Sequence, residues 1–181
     1  MIIGLTSFIG AGKTSICDYL VKKGFIFYSL SDIIREELKA KGKEITRDNL
    51  QATGNELRKK HGNSVLADKT LEKIEEGKNH IIDSIRNPAE IKALRKRKDF
   101  TLVFIDAPIK IRFNRIIDRK REKDPITFED FKKVEEKELE SSDSASQQLV
   151  KCREMANFII HNDSSFEELY KKIDELLEGL E

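Results

Sequence analysis

Five short apolar runs recur along the chain, at 2–5, 25–28, 80–82, 102–105 and 157–160, separated by stretches whose apolar positions follow helical spacing. The runs are continuous rather than alternating, the pattern of strands covered by helices on both faces. Strand and helix in alternation predict a parallel sheet within an α/β unit. Helices are expected at 13–23, 32–40, 48–60, 64–76, 88–97, 109–121, 127–139 and 165–180. Several ends are punctuated: Gly24 follows the first helix, Gly77 the fourth, and Ser164 or Ser165 caps the last with Glu167 or Glu168 three residues on. Two segments interrupt the rhythm, 41–76 and the strongly charged 112–140, and both read as inserts over a site.

At 181 residues the chain suits one domain with a real core. Charged residues make up 37 % of it, yet 34 Lys and Arg face 33 Asp and Glu, so no overall field directs it to nucleic acid or a membrane. Cys17 and Cys152 are too few for a disulfide framework and lie in no metal-binding pattern, which makes a reducing cytoplasm the expected location. The opening MIIGL has neither a basic region nor a long apolar stretch, so no signal peptide or membrane span is expected.

The sharpest chemical signal is residues 4–15, Gly-Leu-Thr-Ser-Phe-Ile-Gly-Ala-Gly-Lys-Thr-Ser, between an expected strand and an expected helix. Gly10 and Gly12, with Ala11 between them, let backbone N–H groups turn inward around phosphate oxygens, and the dipole of the following helix adds positive potential. Lys13 supplies a point charge for the β and γ phosphates of ATP. The Thr14 hydroxyl is placed to ligate Mg²⁺, and Ser15 completes the ATP-binding set. The usual spacing is G-x-x-x-x-G-K-[ST], and Ser7 stands where the first Gly belongs. A positive φ there would cost Ser more than Gly and weaken ATP binding.

Two of the strands are followed by Asp-x-x-Arg. After the second, Asp32 and Arg35 lie one turn apart at a helix start, in a loop region that lines the ligand crevice of an open parallel sheet. Arg35 can grip an acceptor phosphate bidentately, and Asp32 is a candidate catalytic carboxylate, although it also suits a helix cap. After the third, Asp83 sits at the strand tip, where a carboxylate reaches Mg²⁺, and Arg86 is a second acceptor clamp; a surface turn into a Pro-started helix is the alternative. Arg112, Arg115, Arg119 and Arg121 follow along one helix and its exit. They form an expected arginine lid, with Arg115 and Arg119 the catalytic candidates beside Lys13, supplying positive charge over the γ-phosphate and excluding water.

These motifs together resemble the nucleoside monophosphate kinase and dephospho-CoA kinase branch of P-loop kinases, over nearly the whole length. Ile3-Gly4-Leu5-Thr6, Ile9-Gly10 and Gly12-Lys13-Thr14 are similar to the opening of dephospho-CoA kinases, whereas residues 29–35 resemble the acceptor segment of adenylate kinases. The Asp-x-Asp of dephospho-CoA kinases is replaced here, its first Asp by Ser, and their Pro-Leu-Leu-Phe-Glu stretch by Asp83-Ser84-Ile85-Arg86. Residues 46–57, 83–90 and 121–125 resemble an archaeal group of dephospho-CoA-kinase-like proteins. The resemblance implies a three-layer α/β/α fold with sheet order 2-3-1-4-5, an acceptor-binding arm over about 32–76 and a lid over about 112–140. It also implies that Asn162, just after the fifth strand, borders the adenine.

The expected function is transfer of the γ-phosphate of ATP, with Mg²⁺, onto a nucleoside or deoxynucleoside monophosphate. Such an acceptor offers an ionised oxygen and needs arginines but no general base. The alternatives are the 3′-hydroxyl of dephospho-CoA, for which Asp32 would orient the nucleophile, and an ATP-binding switch or assembly factor on a kinase fold. Balanced charge disfavours a nucleic-acid partner.

Overall fold

The computed structural model describes residues 1–118, 127–139 and 142–180. Five strands form one sheet: β1 (Ile2–Ser7), β2 (Ile26–Ser29), β3 (His80–Asp83), β4 (Phe100–Asp106) and β5 (Phe158–His161). All pairings are parallel and the order is β2-β3-β1-β4-β5, the order expected from the resemblance. β1 is central and buried at every one of its six positions, which explains its unbroken apolar run.

Alternate residues of these strands serve two cores. Ile2, Ile82 and Leu102 face one layer, with Leu30, Ile34, Leu38, Leu57, Leu66 and Leu94. Ile3, Leu5, Ile81, Val103 and Ile105 face the other, with Ile16, Leu20, Leu169 and Ile173. The second layer consists of α1 (Lys13–Lys22) and α9 (Phe166–Glu178); the first includes α2 (Leu30–Ala40), α3 (Arg47–His61), α4 (Val65–Leu71), α5 (Pro88–Leu94) and α8 (Leu149–Glu154). Each fully buried Leu or Ile adds roughly 1.5–3 kcal/mol over an exposed one, so a two-sided sheet gathers most of its stability along these rows.

Local signals set the helix ends. Thr46 caps α3 by accepting from the Asn49 N–H at 3.1 Å, and Ser165 caps α9 by accepting from the Glu168 N–H at 3.2 Å. Pro88 opens α5 behind a capping box in which Asn87 and Glu90 satisfy each other's backbone N–H groups. The expected helix at 64–76 is shorter, closing at Leu71, and six-residue α8 was too short to stand out from its surroundings by periodicity. Two further helices, α6 (Ile109–Asp118) and α7 (Phe128–Leu139), lie in the segment expected as a lid. No described helix is long and apolar enough to cross a membrane.

Candidate functional site

The loop between β1 and α1 has the backbone a phosphate cradle needs. Gly10 and Gly12 adopt φ of 78° and 96°, and α1 begins immediately at Lys13. A Cβ at Gly10 would meet the Arg112 carbonyl oxygen at 2.6 Å, and one at Gly12 would fall into the Asn162 side chain, so both glycines are required by space as well as by φ. Ser7 makes no such demand. It is the last residue of β1, buried, and has no positive φ; among the described residues the single non-glycine with one is Ser84. The affinity loss expected from its replacing a glycine therefore has no backbone cause.

Asn162 follows β5 and lies buried against the loop, donating from Nδ2 to the Ala11 carbonyl at 2.8 Å. Arg115 of α6 crosses above it, donating to Asn162 Oδ1 at 3.2 Å and to the Ala11 carbonyl at 3.4 Å. Burial pulls the Arg115 pKa down, and Asp163 pushes it partly back. Arg115 is thus held at the loop's rim. Thr14 is exposed at the start of α1 and Ser15 is half-buried beside it.

Lys13 Nζ stands 3.5 Å from Asp83 Oδ1 at the tip of β3, each side chain less than a fifth exposed. Burial raises the Asp83 pKa, but Lys13, the Ser84 N–H and hydroxyl, and Arg86 together overcome it and hold the group below its ordinary value. Asp83 Oδ1 is buried and receives no hydrogen bond among the described residues. Such an oxygen suits a cation that arrives with phosphates rather than a protein-built cage, and among the described residues no cluster of three or more His, Cys, Asp or Glu forms one.

A hydroxyl cluster links Asp83 to the first Asp-x-x-Arg. Ser84 has φ of 65°, a conformation an L-residue adopts only under constraint, and its Oγ donates to Asp83 Oδ2 at 3.1 Å. Ser29 Oγ lies 3.1 Å from Ser84 Oγ and 2.8 Å from Ser31 Oγ. Arg35 donates to Ser31 Oγ at 2.6 Å and to Asp32 Oδ1 at 2.7 Å. Asp32 is half exposed and engaged with Arg35.

Arg86 is positioned by a buried carboxylate. Glu90 accepts from the backbone N–H groups of Arg86 and Asn87 at 2.9 and 3.0 Å, and its other oxygen accepts from Arg58 at 2.7 and 3.0 Å. The Arg86 guanidinium donates to Glu138 Oε2 and Gln147 Oε1, both at 3.2 Å.

The lid differs from expectation at Arg112. Its side chain is buried, not poised over phosphate: it donates to the carbonyls of Ala107 at 2.8 Å and Ile9 at 3.1 Å, and ion-pairs with Glu135 of α7. The rings of Phe8 and Phe131 flank it at 5.3 and 5.7 Å. Arg112 thus neutralises the buried Glu135 carboxylate. Arg119 and Arg121 lie outside the described residues.

Arg47, Ser29, Ser84, Arg58, Glu90, Glu135 and Glu138 escaped the sequence reading. A signal existed for two of them. Phe128, Phe131, Glu135 and Glu138 follow heptad-like spacing of three, four and three, so the acids continue an apolar stripe, as buried and paired carboxylates do.

Comparison with known proteins places the chain in a family and a fold. The AAA domain family matches residues 3–143. A UPF0200 protein of Methanocaldococcus jannaschii is 32 % identical over 184 residues, covering 99 % of this chain and 90 % of that one. A UPF0200/UPF0201 protein of Archaeoglobus fulgidus is 32 % identical over 180 residues, and the chain spans 54 % of its length. Among solved structures, the shikimate kinase of Aquifex aeolicus superposes with a TM-score of 0.57 at 22 % identity, covering 99 % of this chain and 97 % of the other. TT1252 of Thermus thermophilus superposes with a TM-score of 0.60 at 19 % identity over 100 % and 98 %. The fold is that of P-loop kinases.

Proposed function

The chain belongs to the UPF0200 family, and we propose that it is an ATP-dependent small-molecule kinase whose acceptor is a nucleoside or deoxynucleoside monophosphate. The observation that carries this reading is the meeting of Lys13, at the start of α1, with Asp83 at the tip of β3 and Arg86 just beyond it, with Arg35 joined to Asp83 through the serine hydroxyls. A phosphate loop alone implies nucleotide binding; cations placed on the far side of its lysine supply a place for a second phosphate.

In this reading Gly10 to Ser15 hold the ATP phosphates, and Asn162 and Arg115 close the loop from above. Thr14 and Asp83 would hold Mg²⁺, which neutralises charge on the transferring phosphoryl group when bound. Lys13 orients the γ-phosphate, Arg86 and Arg35 place the acceptor, and Arg115 adds charge at the rim. Asp32, already engaged by Arg35, is the weakest of the expected catalytic groups, which favours an ionised acceptor oxygen over a hydroxyl that needs a base.

The test is a thin-layer assay of ATP with each nucleoside and deoxynucleoside monophosphate and with dephospho-CoA. Label transferred to a monophosphate, lost in Lys13→Ala, is the expected result. Transfer to dephospho-CoA instead would relocate the acceptor chemistry to a hydroxyl. ATP consumption indifferent to every small acceptor but stimulated by a macromolecule would replace the kinase reading with a switch.

A further inference from the structure

Two guanidiniums converge on one carboxylate beside the phosphate loop. Arg47, the first residue of α3, donates to Glu138 Oε1 at 2.5 Å, and Arg86, after β3, donates to Oε2 at 3.2 Å. The carboxylate is 5 % exposed, whereas the Arg47 and Arg86 side chains are 37 % and 30 % exposed. Glu138 is therefore the inner member of the cluster, and its cations face outward to solvent. Burial raises the Glu138 pKa, but Arg86, Arg47 and Lys13 overcome it and keep the group ionised below its ordinary range.

One turn earlier on the same helix, Glu135 makes a different kind of pair. Its partner Arg112 is buried with it, clamped between two phenylalanines and bonded to the loop backbone, so that contact is closed to exchange. The Glu138 contact is open to exchange on its arginine side. The local charge count points the same way: Arg47, Arg86 and Lys13 face Asp83 and Glu138, three cations against two carboxylates. A phosphate monoester dianion brings two charges and three acceptor oxygens to forks now sharing a single negative charge.

We propose that Arg47 and Arg86 form the anion site for the acceptor's phosphate, and that Glu138 is its built-in occupant, which an incoming phosphate monoester displaces. Arg47 thereby becomes a binding residue of the acceptor, and Glu138 a gate that ties α7 to the acceptor arm until the acceptor arrives. The ligand shifts this equilibrium only by as much as it binds the open cradle better than the filled one. The proposal rests on the reading of this end of the sheet as the acceptor side.

The experiment is calorimetric titration of inorganic phosphate, and separately of AMP, into the whole chain with the phosphate loop saturated by Mg²⁺ and a non-hydrolysable ATP analogue. Glu138→Gln should tighten phosphate binding by about tenfold or more, because the competing charge is gone, and Arg47→Gln should weaken it by about tenfold. Adding Arg47→Gln to Glu138→Gln should erase the gain. If Glu138→Gln does not fold, Glu138→Asp keeps the charge but cannot span both guanidiniums, and should show a smaller gain of the same sign. Phosphate affinity unchanged in whichever Glu138 variant folds, or indifferent to Arg47, overturns the proposal. The kinase reading stands or falls separately. Phosphate binding with this Arg47 and Glu138 dependence but no acceptor phosphorylated sinks the kinase alone, while transfer with an acceptor KM untouched by either substitution sinks the cradle alone.

Discussion

Lys13 Nζ lies 3.5 Å from Asp83 Oδ1, so the lysine of the phosphate loop and the carboxylate of the neighbouring strand stabilise each other. Removing either leaves the other charge inside the fold with less compensation. Lys13→Ala should abolish transfer, and Lys13→Ala and Asp83→Asn should be non-additive in stability. Urea unfolding of both single variants and the double variant should give a coupling of about 1 kcal/mol or more. Additive effects would show that the two charges do not sense each other.

Ser7 invites a mistaken repair. Matching the usual phosphate-loop spacing by Ser7→Gly should leave ATP affinity unchanged, because Ser7 sits in extended strand and its backbone needs no glycine. The substitution should instead lower stability by roughly 0.5–1 kcal/mol through added unfolded-state freedom in a central strand. Calorimetric ATP titration and thermal unfolding measure the two effects independently. A clear gain in ATP affinity would contradict this account of the loop.

Gly12 and Asn162 are matched in shape. A methyl at Gly12 collides with the Asn162 amide and must also adopt φ of 96°, so Gly12→Ala should cost about 1–3 kcal/mol and remove nucleotide binding. Asn162→Ala opens that space but gives up the bond to the Ala11 carbonyl. The double variant should therefore be more stable than the sum of the single losses implies, as thermal unfolding of all three would reveal. Strict additivity would mean that φ alone, and not the Asn162 contact, fixes glycine at position 12.

The sheet was legible because burial on both faces writes itself as unbroken apolar runs such as Leu102 to Ile105, and the phosphate loop because its glycines adjoin Lys13 and Thr14 in sequence. Asp83 and Arg86 stood out for the same local reason: one closes a strand and the other follows it closely. What the chain order hid was pairing at a distance. Arg112 has the spacing of a lid arginine, and nothing near it in sequence announces that Glu135, 23 positions on, turns it inward. Arg47 and Glu138, 91 positions apart, meet only because the fold brings the start of α3 to the end of α7. Ser84 offers no sequence cue to its left-handed backbone, a conformation imposed by the cluster around Asp83 rather than by its own preference.

Arg112 and Arg115 stand one turn apart on α6 and should answer mutation in opposite ways. Arg112→Ala strips the counter-ion from a buried Glu135, a loss of about 3–5 kcal/mol, or about 10 °C in Tm for a chain of this length. Replacing both partners, as in Arg112→Leu with Glu135→Leu, should restore much of that stability, since an apolar pair leaves no charge unpaired between Phe8 and Phe131. Arg115→Ala, by contrast, removes a side chain at the loop's rim. It should change Tm by no more than about 2–4 °C while lowering transfer by about tenfold or more, as the proposed role of Arg115 on developing phosphate charge requires. Thermal unfolding and single-turnover transfer on the same preparations separate the two outcomes. If Arg115→Ala unfolds the chain and Arg112→Ala leaves it stable but inactive, the assignment of structural and functional arginines on α6 is reversed.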